Sequence, residues 1–162
     1  VLVAAMNPCP CGYDGDERRT CRCTPGQIER YRGRLSGPLR DRIDLVAEVP
    51  AVPVTVLADA PQGEASSSVR TRVLDARARQ RSRYHVLGVR TNAELRGGTA
   101  GRHCQPTAEG RRLLHVAADR MKLTARGYDR VLKVARTVAD LCASEVIEAD
   151  HVAEALQFRL LE

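Results

Sequence analysis

The clearest pattern of apolar and polar positions lies in the last third of the chain, where it predicts three helices, at about 107–120, 124–143 and 148–160. The middle helix has a single apolar stripe at steps of three and one, and Thr124 precedes it as a candidate N-cap. The stripe consists of Tyr128, Val131, Leu132, Ala135, Val138, Ala139 and Cys142. We expect this stripe to face the core of a small helical bundle.

The N-terminal part of the chain instead shows two short apolar runs that are typical of buried strands. The first covers residues 1–5, and the second covers residues 43–54, where two prolines interrupt it. Between them lie a polar loop rich in cysteine, a short helix that begins after Thr24-Pro25, and a turn at Gly37-Pro38. This order of strand, elaborated loop, helix and strand predicts the end of an α/β layer.

The character of the chain changes near residue 60. Residues 1–60 form the predicted α/β part, and residues 64–162 form the predicted helical bundle. The bundle begins with the long polar segment SSSVRTRVLDARARQRSRY, and a glycine-rich connection separates this segment from the three C-terminal helices. The predicted fold class is therefore an α/β segment followed by an all-α helical bundle.

Composition restricts what the core and the surroundings of the protein can be. Of the 162 residues, 43% are hydrophobic but only 3% are aromatic, so the core must consist mainly of Leu, Val, Ile and Ala. No apolar run approaches the roughly 20 residues that a membrane-spanning helix needs, and no secretory signal is evident. We expect a cytoplasmic protein without a membrane partner, in which cysteines serve as metal ligands more often than as disulfide partners.

The basic residues of the chain are almost all arginine. The formal net charge is +6, and Lys122 and Lys133 are the only lysines. A guanidinium group binds phosphate through two parallel hydrogen bonds, so the excess is compatible with nucleic-acid binding. A compositional bias toward arginine explains the same excess, and net charge alone does not separate the two interpretations.

Four of the six cysteines lie close together in the segment CPCGYDGDERRTCRC. Cys9, Cys11, Cys21 and Cys23 form two Cys-x-Cys pairs, a complete ligand set for a tetrahedral structural zinc ion. The loop between the pairs is polar and needs a metal to order it. Free thiols or a disulfide in a hairpin remain the alternatives. Four sulfur ligands would leave no open position for a catalytic water.

The motifs of a complete catalytic site are missing from the chain. There is no phosphate-binding loop of the form G-x-x-x-x-G-K-[ST], no nucleophile elbow and no dinucleotide fingerprint. Three polar residues nevertheless lie at the ends of predicted elements: Asn7 after the first strand, Arg42 before the second, and Arg126 in the first turn of the best-formed helix. Each of them alone can also be a solvated or capping residue.

Four segments together resemble the C-terminal part of the magnesium-chelatase-like AAA+ proteins of the ComM/YifB type. They are VAAMNPCPCGY, RYRGRLSGPLRDRIDL, EVPAV and LTARGYDRVLKVARTVADL. The resemblance implies the end of an AAA+ ATPase core followed by a helical lid. It also implies a bacterial DNA helicase that uses Mg-ATP, forms a hexamer and acts in branch migration during natural transformation or recombination.

The same resemblance implies a role for each of the three polar residues. Asn7 would be the sensor 1 residue, Arg42 the arginine finger that reaches a neighbouring subunit, and Arg126 the sensor 2 residue of the lid. Arg40 occupies a position where the family has an apolar residue, so Arg40 competes with Arg42 for the finger role. The Walker A and Walker B motifs would lie upstream of residue 1, and the chain by itself should not hydrolyse ATP.

Two other functions remain open at this point. A zinc module without enzymatic activity could bind DNA or RNA through the arginines of the cysteine loop, of which Arg18 and Arg19 are the central pair. The third possibility is an ATPase subunit of magnesium chelatase itself, although the cysteine pairs favour the ComM-type branch.

Overall fold

The computed structural model describes residues 1–50, 52, 63–96 and 98–159. The chain divides into two compact units, of which the first is Val1–Ile43 with Glu48–Asp59 and the second is Asp44–Ala47 with Ala60–Glu162. Residues 53–62, which include the predicted boundary at residue 60, lie outside the described part.

Two helices form in the first unit, α1 at Pro25–Arg32 and α2 at Gly37–Arg40. The predicted helix after Thr24-Pro25 is present, and Thr24 forms a capping box with Gln27 at its start. The predicted turn at Gly37-Pro38 is wrong, because these residues begin α2. Proline is tolerated in a first helical turn, where its missing N–H has no intrahelical acceptor in any case.

Neither predicted strand forms among the residues that the structure describes. Val1, Leu2 and Val3 are fully exposed, and no backbone hydrogen bond joins residues 1–5 to another described segment. In the second run, the N–H of Val46 donates to the carbonyl of Phe158 at 3.1 Å instead of joining a sheet. A strand needs a neighbouring strand to satisfy its backbone groups, and the described chain supplies none. The observed fold is therefore helical, and the α/β part of the expectation is not seen.

The second unit contains the long polar helix and the three C-terminal helices that the sequence predicts, and also a short helix within the segment predicted as a glycine-rich connection. The helices are α3 at Ser66–Tyr84, α4 at Thr99–His103, α5 at Ala108–Arg120, α6 at Ala125–Leu141 and α7 at Ala149–Gln157, with 3₁₀ turns at His85–Leu87 and Asn92–Glu94. Thr107 caps α5 and Thr124 caps α6, each through its hydroxyl. None of the described helices combines the length and apolar character required to cross a membrane.

Helix α6 lies at the centre of the bundle and contacts α3, α4 and α7. Most of its apolar stripe is buried as expected, and Tyr128 is partly buried. Cys142 corrects the prediction, because it is exposed. Helix α6 ends at Leu141, and Ala143 then takes a positive φ of 58°, which turns the chain away from the stripe. The buried core consists of Tyr84, Leu95, Ala100, Cys104, Leu114, Val131, Leu132, Ala135, Ala139, Ile147, Val152, Ala155 and Leu156.

A polar network is buried beside this apolar core. The Asp140 carboxylate accepts hydrogen bonds from Arg83, Arg136 and Asn92, and the Asn92 carbonyl oxygen accepts one from the Tyr84 hydroxyl at 2.7 Å. Burial raises the pKa of Tyr84 to about 12, so its hydroxyl remains a donor. The network joins α3, the Asn92 turn and α6.

Candidate functional site

The cysteine loop brings its four sulfur atoms into one cluster. The Sγ atom of Cys9 lies 3.4 Å from that of Cys11 and 3.7 Å from that of Cys21, and the latter two are 3.6 Å apart. With Cys23, all four Sγ atoms lie within 4.8 Å of one another. All four cysteines are free thiols, so the hairpin disulfide alternative is not seen.

These separations fit a tetrahedral metal ion. A Zn–S bond of about 2.3 Å places two sulfur ligands of a tetrahedron about 3.8 Å apart. The three separations among Cys9, Cys11 and Cys21, 3.4 to 3.7 Å, are slightly below this value. The cluster can hold a metal ion, and four sulfurs would complete its coordination without a water.

Two glycines with positive φ give the loop its shape. Gly12 has φ of 86° and Gly15 has φ of 83°, values that other residues adopt only with strain. The N–H of Gly12 donates to the carbonyl of Cys9 at 3.1 Å, which closes a tight turn around the first Cys-x-Cys pair. Cys9 is fully buried, whereas the other three cysteines are partly exposed.

A residue of α1 holds the loop from outside. Arg32 donates from Nε to the carbonyl of Pro8 at 3.2 Å and from Nη2 to the Asp14 carboxylate at 2.8 Å. One guanidinium therefore joins the start of the loop to its middle. The sequence contains no signal for this contact, because Asp14 and Arg32 are 18 positions apart and neither belongs to a motif.

The loop backbone favours the thiolate form of one ligand. Hydrogen bonds from the backbone of Arg22 and Tyr13 lower the pKa of Cys11 to about 6. The backbone of Cys23 favours the Cys21 thiolate as well, but desolvation and the neighbouring sulfurs outweigh it and raise the Cys21 pKa to about 12. Crowded sulfurs cannot all ionise without a compensating cation, and a bound metal ion would provide that charge.

Arginines lie directly beside the cluster. The Asp16 carboxylate accepts from the backbone N–H groups of Arg18 and Arg19, which fixes the tip of the loop. The guanidinium of Arg19 lies 5.1 Å from the centre of the Tyr13 ring and donates to its hydroxyl. The side chains of Arg18 and Arg19 are exposed at the tip of the loop, next to the exposed Glu17.

Asn7 lies at the entry to the same loop. It is exposed, and its amide nitrogen lies 3.8 Å from where a Cβ on Gly12 would be. The residue that resembles sensor 1 is thus next to the cysteine turn in the first unit.

The two candidate finger residues have different surroundings. Arg40 is the last residue of α2 and lines a cavity of about 710 Å³ with Ile28, Arg32 and Leu35. Arg42 follows α2, is exposed, and makes no side-chain ion pair within the described ranges. The Arg42 guanidinium is therefore accessible from solvent.

Arg126 is the second residue of α6, in the second unit. It is exposed and forms no ion pair with any residue that the structure describes. The positive end of the helix dipole and the free N–H groups of the first turn lie beside it, an arrangement that favours anions. Arg42 and Arg126 are both solvent-accessible.

Comparison with known proteins identifies the family. Residues 1–57 match the family model for magnesium chelatase, subunit ChlI, and residues 63–159 match the model for the C-terminal region of that subunit. The chain belongs to the magnesium chelatase family. The expected resemblance to magnesium-chelatase-like proteins of the ComM/YifB type is confirmed.

Individual relatives of this magnesium chelatase family member come from several bacteria. The competence protein ComM of Haemophilus influenzae is 42% identical over 162 residues, which are 99% of this chain and 30% of that protein. The uncharacterized protein YifB of Salmonella typhimurium is 40% identical over 163 residues, 99% of this chain and 31% of that protein. An uncharacterized Mycobacterium bovis protein is 40% identical over 158 residues. The chain spans just under a third of the length of these relatives.

Proposed function

We propose that this chain is the C-terminal segment of a ComM-type AAA+ ATPase that acts as a DNA helicase in branch migration, during natural transformation or recombination. Membership of the magnesium chelatase family and 42% identity to a competence protein support the proposal. In the complete protein, Mg-ATP binds to Walker motifs outside this chain. The complete protein works on DNA as a cytoplasmic hexamer.

In this proposal three side chains complete the nucleotide site. Asn7 orients the attacking water as sensor 1, Arg42 reaches the nucleotide of a neighbouring subunit, and Arg126 contacts the γ-phosphate as sensor 2. Phosphoryl transfer depends mainly on positioning and on stabilising negative charge, for which guanidinium groups are suited. The observation that carries the proposal is Arg126 in the first turn of α6, which is exposed and forms no ion pair with a described residue.

The proposal also explains the two exposed apolar runs. Residues 1–5 and the run that begins at residue 43 leave Val1, Leu2, Leu45 and Val49 in solvent. Exposed apolar segments with free backbone groups pair readily with a sheet. In the complete protein they would be strands of the AAA+ core, and residues 1–60 would be the end of that core while residues 64–162 form the lid.

The test is ATP turnover of the full-length protein with Arg126→Ala. We expect kcat to fall by roughly 10²–10³-fold, the usual cost of removing a group that stabilises transition-state charge. Arg120→Ala is the matched control, because Arg120 is an exposed arginine at the end of α5. Unchanged turnover in Arg126→Ala would contradict the sensor 2 role.

A mixing experiment separates Arg42 from Arg40. Subunits with Arg42→Ala should lower turnover when they are mixed with wild-type subunits, because a finger acts on the neighbouring nucleotide. Arg40→Ala should have little effect, since Arg40 lines a cavity next to α1. The opposite result would move the finger to Arg40.

The proposed cofactor of the cysteine cluster is a structural zinc ion held by Cys9, Cys11, Cys21 and Cys23. The four sulfurs lie within 4.8 Å of one another, and thiolate ligands in a tetrahedral arrangement favour zinc. The ion would order a loop that has little apolar surface of its own.

A second candidate function is a nucleic-acid-binding zinc module without ATPase activity. The exposed side chains of Arg18 and Arg19, in the loop between the two cysteine pairs, favour it. This function requires the chain alone to bind DNA, with a weaker salt dependence after Arg18→Gln/Arg19→Gln. Loss of turnover in Arg126→Ala would exclude it as the whole function.

A further inference from the structure

Helix α3 carries an unusual share of the charge of the chain. Its sequence SSSVRTRVLDARARQRSRY contains six arginines and one aspartate, a formal charge of +5 in a chain of net charge +6. Its C-terminal half packs on the bundle through Ala76, Gln80 and Tyr84. Residues 66–75 are all exposed. The N-terminal half of α3 therefore does not pack on the rest of the bundle.

Two of the six arginines have acidic partners. Arg83 pairs with the buried Asp140, and Arg72 pairs with Glu64 through two bonds of 2.8 and 2.9 Å. The charge of these two groups is already compensated. Arg70, Arg77, Arg79 and Arg81 form no salt bridge within the described part of the chain, although the charge of Arg77 helps to lower the pKa of Glu94.

Three of these arginines share one face of the helix. Arg70, Arg77 and Arg81 are separated by seven and four residues, so a period of 3.6 residues places them within about 20° of one line. At 1.5 Å per residue the line is about 16 Å long. All three side chains are exposed. Asp75, the only acidic residue of α3, lies about 140° away from Arg70 on the same projection.

We propose that this line of arginines, Arg70, Arg77 and Arg81, binds the phosphate backbone of a nucleic acid. A nucleic acid strand carries one negative charge per 3.4 Å of axis, so about 16 Å of helix meets several phosphates. Guanidinium groups bind phosphate through paired hydrogen bonds and keep their charge at any physiological pH. The contact is to backbone, so it contributes affinity and orientation without base specificity.

An anionic membrane surface fits this face less well. Helices that lie on membranes present a broad apolar face with bulky side chains opposite the basic one. In α3 the exposed large apolar residues are only Val69, Val73 and Leu74. The side that carries Ala76 and Tyr84 is buried in the bundle and is not available to a membrane. The inference extends the proposed function, since it names a DNA-contacting surface, but it requires neither Arg42 nor Arg126 to act on a nucleotide.

The test measures binding of this chain to a fluorescein-labelled oligonucleotide of about 20 nucleotides, single-stranded and duplex, by anisotropy over a range of salt concentrations. The triple variant Arg70→Gln/Arg77→Gln/Arg81→Gln should bind at least about tenfold more weakly at low salt. The slope of log K against log salt should fall by about 1 for each arginine removed. Circular dichroism checks that the variant keeps its helices.

The matched control removes the same charge from another surface. Arg111→Gln/Arg112→Gln/Arg120→Gln changes three exposed arginines of α5 that form no ion pair in the described residues. It should keep nearly the wild-type slope. Equal losses in the two triple variants would mean that only net charge matters and would overturn the proposal.

Two further outcomes would also overturn it. The first is the absence of oligonucleotide binding at about 50 mM salt, where contacts to the phosphate backbone are strong. The second is binding to vesicles that contain phosphatidylserine, lost in the α3 variant, without binding to DNA. Neither outcome depends on the ATPase assay. The proposed ATPase function can therefore be disproved while the nucleic-acid contact of α3 is supported, and the contact can be disproved while the ATPase function is supported.

Discussion

Arg83 of α3 and Asp140 of α6 are 57 positions apart in the chain, and their side chains form two parallel hydrogen bonds of 2.6 and 3.1 Å. The Asp140 carboxylate is completely buried. Burial disfavours the charge of Arg83, but hydrogen bonds and attraction from Asp140 outweigh it and raise the Arg83 pKa above its ordinary value. Arg136, whose side chain is only 4% exposed, binds the same carboxylate and the carbonyls of Ser144 and Glu145. One carboxylate therefore binds two cations and holds three parts of the bundle together.

Replacing that carboxylate should destabilise the helical unit strongly. Asp140→Asn leaves Arg136 charged and buried without a counterion, and breaking a buried ion pair in this way costs about 3–5 kcal/mol. Urea unfolding followed by circular dichroism measures the loss. Asp129→Asn on the same helix removes the same charge from a carboxylate with no hydrogen bond among the described residues, and it should change stability by less than about 0.5 kcal/mol. Similar losses in both variants would show that the network does not carry this stability.

Two glycines of the bundle should respond oppositely to alanine. A Cβ on Gly110 would lie 3.1 Å from the Pro106 Cβ and 3.3 Å from a Val152 methyl, so α5 and α7 would have to separate. Gly110→Ala should cost about 1–3 kcal/mol through overpacking. A Cβ on Gly101 in α4 meets nothing within 4 Å, and Gly101→Ala should be neutral or stabilising by up to about 1 kcal/mol. Thermal unfolding of the two variants compares them directly, and a stable Gly110→Ala would show that the contact can relax.

The two cysteines of the helical unit should differ sharply in reactivity. Cys104 is fully buried, and desolvation raises its pKa to about 11, so its reactive thiolate is scarce at neutral pH. Cys142 is exposed after the end of α6. Iodoacetamide at neutral pH should modify Cys142 quickly and Cys104 only after urea unfolds the unit. Peptide mass spectrometry locates the label, and rapid labelling of Cys104 in the folded protein would contradict its burial.

The Cys104 thiol should make the free energy of unfolding depend on pH in the alkaline range. The ordinary pKa of a cysteine is 9.0, and that of Cys104 in the folded protein is about 11. Between these values the unfolded chain binds fewer protons than the folded one, so the free energy of unfolding falls as pH rises from about 9 to about 11. Two pKa units correspond to about 2–3 kcal/mol. Cys104→Ala should lose this part of the slope, which urea unfolding at pH 8, 9 and 10 can measure as a difference between the two proteins.

Metal content tests the cysteine cluster. The chain purified under reducing conditions should contain about one zinc ion per molecule, which elemental analysis measures. Cys9→Ser should remove most of the metal because Cys9 is the buried ligand. Cys142→Ser is the control, since Cys142 lies outside the cluster and should leave the zinc content unchanged. Zinc content near zero in the wild-type chain would remove the metal from the proposal.

The long helices were predicted well because apolar periodicity and capping residues lie within the helix or directly before it. The stripe from Tyr128 to Ala139 has the helical period, and Thr24 and Thr124 each cap the helix that follows, as predicted. The grouping of Cys9, Cys11, Cys21 and Cys23 was equally visible, since the ligands of such a site lie in one short loop. The roles of Asn7, Arg42 and Arg126 stay predictions, because they concern a nucleotide bound outside this chain.

The prediction of two strands was wrong because local patterns carry no information about the partner that a strand needs. Residues 1–5 are apolar enough for a buried strand, but whether a strand forms depends on a partner elsewhere. The prediction of a turn at Gly37-Pro38 was also wrong, because a helix, α2, forms there. Gly-Pro is typical of a turn, but proline is also favoured in the first turn of a helix.

The sequence by itself determined the long helices of the bundle and which cysteines can share a metal ion, because these properties depend on spacing within one segment. Only the tertiary structure decided that Arg32 holds the cysteine loop, that Asp140 pairs with Arg83, and that half of α3 remains exposed. Such contacts join residues that are far apart in the chain. Which distant charges meet, and which faces stay in solvent, is settled by the packing of whole helices.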